Sequence, residues 1–312
     1  MSGSLRARFD SQLLLAPRRT RALWAVIATV GLLAGLDTLL LHLDSDPLAD
    51  VHAYYDAGAR LNAGAPLYPL QADPNAPGFY RYPPLLAILF RPLALLPFPA
   101  AAAIWEALVV VAFLLTLRRL GVSRHSTWIT LSLLAIPTAW ALVIGQAQVP
   151  VTYLLTVGSP AAVALAANLK ILPLLAAVYW LGRRDTRSLA RLAAWLLALG
   201  LVQLVLEPSG SIAFLGTLNT GQVGDVRNLS PYTLSPMLWA VLVAAGAALA
   251  LALSRTRIGW AAAVALGIFA APRLLAYSFA TLLAGLAGPV DAAHDESSDH
   301  GHAQVTGRRN VP

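Results

Sequence analysis

The chain has 312 residues, of which 58% are hydrophobic and 12% charged, with a formal net charge of +7 and no cysteine. Soluble domains carry roughly 25% charged residues, so an ordinary soluble enzyme, a disordered tail protein and a disulfide scaffold are all excluded. The basic residues are Arg except for Lys170, and they cluster between long apolar runs; that is the positive-inside pattern of a polytopic membrane protein, not a nucleic-acid surface.

A spanning helix needs about 20 mostly apolar residues. Leu23–Leu43 qualifies and follows Arg6, Arg8, Arg18, Arg19 and Arg21, so residues 1–21 read as a basic cytoplasmic N-terminus. Residues 44–98 then form a first outer loop. Its polar part is Asp44–Tyr82; its apolar end, Pro83–Pro97, is broken by Arg91 and Pro92 and reads as a helix at the outer interface. Pro99–Leu117 crosses inward to Arg118, Arg119 and Arg124, and Ser126–Ile144 crosses outward. Between Gln146 and Lys170 the chain is interrupted by Gly158-Ser159-Pro160. Each arm then spans only ~16 Å, against a hydrocarbon core of ~30 Å. The expectation is a re-entrant hairpin that leaves Gln146 and Lys170 on the same outer side.

From Ile171 the chain runs inward to Arg183, Arg184, Arg187 and Arg191, and Leu189–Leu206 returns outward. Residues 207–232 form a second outer loop, Thr233–Leu253 crosses inward to Arg255 and Arg257, and Ile258–Ala271 with Leu274–Val290 make a last hairpin. The polar tail, 291–312, reads as disordered and cytoplasmic; its His294, His300 and His302 are too loosely spaced for a built metal site. The expected fold class is all-α and polytopic, with an integral membrane domain over 22–290. That domain holds eight full crossings, one re-entrant hairpin and one interfacial helix.

The first outer loop is rich in carboxylates and aromatics, including Asp50, Tyr54, Tyr55, Asp56, Tyr68, Tyr80 and Tyr82. A carboxylate at a membrane surface can act as a general base on an attacking hydroxyl; it can equally be part of a solvated acidic loop. Asp44-Ser45-Asp46 is the only D-x-D sequence, and its place beside Pro47 argues against a metal pair. Charges inside spans are costly and are usually functional or paired. Arg91, Lys170 and Arg273 can hold a lipid phosphate, or can pair with Asp37 and Glu106. Asp37 and Glu106 can also form a proton relay, which is the basis of a transporter or flippase alternative. Gln146, after Gly145, can bond a sugar hydroxyl or cap a broken helix. Asn228 and Ser230 offer the same choice between sugar and loop. The tyrosines can stack on sugar faces or anchor the interface.

The stretch Asp50-Val-His-Ala-Tyr54-Tyr55-Asp56, with Gly64-Ala-Pro-Leu-Tyr68, resembles the first outer loop of glycosyltransferase family 87. The likeness continues through Phe79-Tyr-Arg81-Tyr82-Pro-Pro-Leu and Pro92-Leu-Ala-Leu-Leu-Pro97 to Trp105. It resumes at Gly145-Gln146, Asn168-Leu-Lys170-Ile-Leu-Pro173, Asn228-Leu-Ser230 and Ala271-Pro272-Arg273. Where that family often has Trp-Asp-His or Tyr-Asp near its last helices, this chain reads Tyr277-Ser278.

The resemblance implies a GT-C membrane enzyme taking a sugar, mannose first, from a polyprenyl phosphate to a lipid or glycan acceptor. Asp50 stands in the place of the family's catalytic acid, and Lys170, helped by Arg81 and Arg273, is expected at the donor phosphate. Asp56, Tyr54, Tyr82, Gln146 and Asn228 are the expected substrate contacts. No cofactor and no metal are implied, because the donor arrives already lipid-linked. The expected location is a bacterial plasma membrane, with both termini cytoplasmic and the site at the outer face. The departure at Tyr277-Ser278 leaves a catalytically degenerate member as a further alternative.

Overall fold

A computed structural model describes residues 5–45, 47–69, 73–76, 78–217 and 223–288. Asp46, Val290 and the expected tail with its three histidines lie outside the described residues. In chain order the helices are α1 (Leu5–Leu15), α2 (Arg18–Ser45), α3 (Ala49–Asn62), α4 (Pro84–Phe90), α5 (Phe98–Leu120), α6 (His125–Leu133) and α7 (Ala135–Val143). There follow α8 (Gln148–Val157), α9 (Pro160–Leu169), α10 (Val178–Arg183), α11 (Thr186–Leu206), α12 (Pro208–Thr217), α13 (Pro236–Leu253) and α14 (Gly259–Phe269). Short 3-10 stretches include Leu93–Leu95, Leu172–Ala177 and Pro231–Thr233, and a longer one covers Ala276–Leu286. No strand occurs among the described residues.

Four helices, α2, α5, α11 and α13, are long and apolar enough to cross a bilayer. Leu33, Leu36 and Leu40 of α2, Leu197, Leu201 and Val205 of α11, and Val241, Leu242 and Leu249 of α13 are exposed. Apolar surface on that scale belongs against lipid rather than water. The chain is an integral membrane protein. The expected crossing at Ser126–Ile144 is a broken pair, α6 and α7, bent by 71°. Pro137, in the first turn of α7, cannot donate to the carbonyl of Leu133, so the helix breaks at Leu134. Counted as one span, the pair makes a fifth.

The remaining three expected crossings are shorter than anticipated. One is Leu172–Ala177 followed by α10, one is α14, and one is the 3-10 stretch Ala276–Leu286. At their rises each covers roughly 16–22 Å, short of a ~30 Å core. Each has a buried face against the rest of the protein, and hydropathy alone does not separate burial in protein from contact with lipid.

The loops are more ordered than the sequence reading allows. Asp10 of α1 accepts from the Ser126 backbone N–H at 2.7 Å, capping α6. The loop after α11 contains α12, with Pro208 at its first position and Glu207 accepting from the Gly210 N–H at 3.1 Å. Residues 84–97 form α4 and one 3-10 turn. The pair α8–α9 is a hairpin of two 10-residue arms. Gly158, at φ 64°, ends the first arm, and Ser159 caps the second by accepting from the Ala162 N–H at 3.2 Å.

The helix that matters most for the site is α3. Val51, Tyr54, Ala57, Gly58 and Leu61 are buried along it, a helical stripe, while His52 and Asp56 are exposed on the other side. A Cβ on Gly58 would lie 2.7 Å from the Phe90 backbone, so glycine is what lets α3 close on α4. Tyr54, Phe90 and Trp105 then pack edge to face, with ring centroids 4.9–5.8 Å apart. This aromatic knot is the floor beneath the site.

Candidate active site

A cavity of about 640 Å³ opens beside the N-terminus of α3. Asp50, in the first turn of that helix, lines it. Its position is set by backbone docking: the N–H groups of Leu48 and Asp50 donate to the carbonyls of Val143 and Ile144, at 3.0 and 3.1 Å. The start of α3 is therefore sewn to the end of α7, 94 residues away by Asp50 to Ile144, where the chain turns through Gly145-Gln146-Ala147-Gln148. Gly145 has φ 66°, and a Cβ there would overlap Val51 and Glu106. Only glycine permits this turn without strain.

Gln146 is fully buried. Its Nε2 donates to Asp50 Oδ2 at 2.9 Å, and its Oε1 accepts from Tyr54 at 2.8 Å and Tyr82 at 3.1 Å. The Tyr82 hydroxyl also lies 3.4 Å from Asp50 Oδ1. Burial, then the neighbouring Asp50 charge, holds the Tyr82 phenol well above its ordinary pKa, so it stays a neutral donor. Burial does the same to Tyr54.

Lys170 lines the same cavity. Its ammonium donates to Gln148 Oε1 at 2.7 Å and sits 5.3 and 5.0 Å from the ring centroids of Tyr82 and Tyr277. Gln148 in turn donates to Thr281 at 2.5 Å, which lies 2.8 Å from Thr152. A single turn thus presents Gln146 to Asp50 and Gln148 to Lys170.

Arg81 and Arg273 complete the charged end. The Arg81 guanidinium stacks 4.0 Å over Phe79, and its Nε and Nη2 are buried with no protein partner. Burial, then Arg273, pushes its pKa down to about 10, so it remains a cation at neutral pH. Arg273 Nη1 donates to Pro74 O at 2.9 Å and Val223 O at 3.1 Å, tying the stretches around residues 74 and 223 together, while its Nε is buried without a partner. Buried cationic N–H groups left unpaired are expensive; an anion seated between them removes that cost. The lining also carries apolar side chains, among them Leu155, Leu172, Ala176, Val264 and Ile268. The arrangement suits an amphiphile with an anionic head and a hydrocarbon tail.

The structure brings Asp50, Tyr82, Lys170, Arg81 and Arg273 to one cavity. Tyr54 and Gln146 stand behind Asp50 rather than in the lining. Two of the expected substrate contacts lie elsewhere. Asp56 is exposed and absent from the lining, because six residues along a helix from Asp50 is a different face. Asn228 is spent on the backbone: its Nδ2 donates to Gly224 O and Pro272 O, and its Oδ1 accepts from the N–H groups of Ser230 and Leu274, all at 2.9–3.1 Å. Neither Asp37, exposed on α2, nor Glu106 lines the cavity. Among the described residues no group of three or more His, Asp or Glu side chains could hold a metal. The sequence reading missed Gln148, Thr281 and Trp140, all of which line the cavity. For Gln148 a signal existed, since two glutamines flank Ala147 in a turn that glycine opens.

A model described as glycosyltransferase family 87 matches residues 79–290. The chain belongs to glycosyltransferase family 87. The matched segment carries Arg81, Tyr82, Gln146, Lys170 and Arg273, whereas Asp50 and Tyr54 lie before it. One curated relative is the polyprenol-phosphate-mannose-dependent alpha-(1-2)-phosphatidylinositol pentamannoside mannosyltransferase of Mycolicibacterium smegmatis. It is 27% identical over 236 residues, which are 69% of this family 87 chain and 56% of the relative. The chain thus spans little more than half of that relative's length. No solved structure matches it.

Proposed function

We propose that this family 87 protein is a membrane glycosyltransferase that moves a sugar, mannose first, from a polyprenyl phosphate to a hydroxyl of a glycolipid or glycan. Family membership and the mannosyltransferase relative support the class and the donor. The observation that carries the mechanism is the convergence of Asp50 and Lys170 on one cavity with a cationic head and an apolar wall. The lipid chain lies along Leu172, Val264 and Ile268, and the phosphate meets Lys170, Arg81 and Arg273.

Asp50 takes the proton of the acceptor hydroxyl as its oxygen attacks the anomeric carbon. A carbon–oxygen bond forms there, the bond to the phosphate oxygen breaks, and the electron pair leaves with the polyprenyl phosphate. Single displacement inverts the anomeric centre. The cations meet charge that grows on the departing phosphate, so they favour the transition state over the bound donor. The reading needs no cofactor or metal. The excess of Arg on the segments opposite the two loops supports a site at the outer face, with the N-terminus in the cytoplasm.

The test is transfer of radiolabelled mannose from polyprenyl-phosphate mannose to a membrane-lipid extract, by purified wild type and by Asp50→Asn. Transfer lost in the variant supports both class and base. Transfer that survives removes Asp50 from that role. No transfer by wild type with mannose, or with arabinofuranose as the next donor, refutes the donor class.

A further inference from the structure

Gln148, Thr152 and Thr281 are polar side chains only 6%, 4% and 2% exposed, packed where α8 meets the 3-10 stretch Ala276–Leu286. Buried polar groups persist where each has a partner, and here the partners form one chain. Thr152 Oγ1 donates to the Gln148 backbone carbonyl at 2.7 Å and lies 2.8 Å from Thr281 Oγ1. Gln148 Nε2 donates to Thr281 Oγ1 at 2.5 Å, and Gln148 Oε1 accepts from Lys170 Nζ at 2.7 Å.

The direction of donation is fixed at both ends of that chain. A carbonyl only accepts, so the single Thr152 proton goes to the Gln148 backbone. Thr281 then gives its own proton to Thr152 and is left to accept from the Gln148 amide. An ammonium only donates, so it needs the carbonyl end of the same amide. Both ends demand one orientation of Gln148, nitrogen to Thr281 and oxygen to Lys170. The flipped amide would set N–H against ammonium, and oxygen against a hydroxyl whose proton is already used.

Tyr82 and Tyr277 also flank the ammonium, with ring centroids at 5.3 and 5.0 Å. Ring faces attract a cation but do not fix where its N–H groups point. A lysine on its flexible four-carbon stem needs a directional partner for that. We propose that Gln148 is a positioning residue for the reaction: held by Thr281 and Thr152, its carbonyl anchors one N–H of Lys170 and turns the other two toward the donor phosphate. This rests on Lys170 meeting that phosphate.

Gln148→Met keeps the length and removes the carbonyl. Expected are a kcat about tenfold lower, from loss of one hydrogen bond that orients a charged group, and a donor KM changed less than about threefold. In a Lys170→Met background the same substitution meets no amine to position, so it should cost less than about twofold. A loss as large there as in wild type means that Gln148 acts on its own, as packing would, and overturns the proposal. So does a wild-type kcat in Gln148→Met. Thr281→Val keeps the shape and removes the acceptor that orients the amide; it should lower kcat by about threefold, and Thr281→Ser should recover most of that loss. Equal losses in the two overturn the proposal. This pair carries the test if Gln148→Met does not fold.

Lys170→Met alone separates the two readings. If it keeps a wild-type kcat, the phosphate reading falls and the proposal with it. If it is inactive while Gln148→Met is unaffected, the phosphate reading stands and only the positioning role falls. A readout without turnover is also at hand, because Lys170 is the only lysine of the chain. Protein carrying lysine labelled with carbon-13 at Cε gives one side-chain NMR signal to titrate. Burial disfavours the charged amine and Asp50 favours it; the other charged or titratable groups around it are Arg81 and Tyr82 before α4, and Arg273 and Tyr277 after α14. All of these persist in Gln148→Met. Only an acceptor that favours the ammonium is lost, so the midpoint should fall by about one pH unit. An unmoved midpoint overturns the proposal.

Discussion

Replacing Lys170 by Met removes from the cavity an amine whose charge burial disfavours and Asp50 favours, and changes little in volume. The consequence can be worked from its surroundings. Lys170 spends one N–H on Gln148, at 2.7 Å, which leaves two for a ligand. A phosphate oxygen about 4 Å from the ammonium feels roughly 4 kcal/mol at an effective dielectric near 20. Only the part that grows as the phosphate leaves accelerates the reaction. Removing one preorganised donor from a developing oxyanion typically costs about 10²–10³ in kcat, or roughly 3–4 kcal/mol, and the Coulomb figure agrees with the upper end of that range. The expected result for Lys170→Met is therefore a kcat about 10²–10³-fold lower, with a smaller rise in donor KM. Lys170→Arg keeps the charge but brings a planar fork that does not fit the Gln148 contact, so it should recover only part of the loss. Steady-state kinetics on purified protein measure both, and a thermal melt checks that each variant is folded. A folded Lys170→Met with kcat within threefold of wild type would refute the leaving-group role.

Three further outcomes follow from the geometry. Gly145→Ala places a methyl against Val51 and Glu106 in a left-handed backbone; the sum of about 1–2 kcal/mol for the conformation and about 1–3 for overpacking should lower the melting temperature and displace Asp50, so transfer falls with stability. Asn228→Ala leaves two backbone N–H groups and two carbonyls without their side-chain partner, and should cost about 1–3 kcal/mol, seen as faster proteolysis around residues 223–232 with donor KM little changed. Asp56→Asn, on the exposed face of α3, should leave kcat and KM within twofold of wild type; a larger loss would return Asp56 to the substrate.

The position of the site residues shows why parts of it were hard to read. Asp56 and Asp50 look equivalent in a polar loop, but 49–62 is a helix whose buried stripe runs Val51, Tyr54, Gly58, Leu61. That 3-4 spacing was present in the sequence, and it puts Asp56 on the wrong side. Asn228 could not be resolved that way. Its four backbone contacts join residues 224 and 230 to 272 and 274, and no local pattern announces them. Gln146 fell between: its turn was legible from Gly145, but its partner is 96 residues away.

What the sequence by itself determined is the class of solvent. Length of apolar runs, the Arg clusters between them and the break at Gly158-Ser159-Pro160 are one-dimensional properties, and a bilayer reads them one segment at a time, so membrane character and the α8–α9 hairpin were accessible. The family motifs were accessible for the same reason. Tertiary structure alone decided which apolar runs form long helices and which form short, partly buried ones, since hydropathy does not separate the two. It also decided the chemistry. Asp50, Gln146, Lys170 and Arg273 come from four separate stretches of chain, and their distances depend on how α3 docks on the end of α7 and how the hairpin brings Lys170 back to Gln148. The reactivity of a carboxylate depends on neighbours of that kind, and those neighbours are set by packing between elements far apart in the chain.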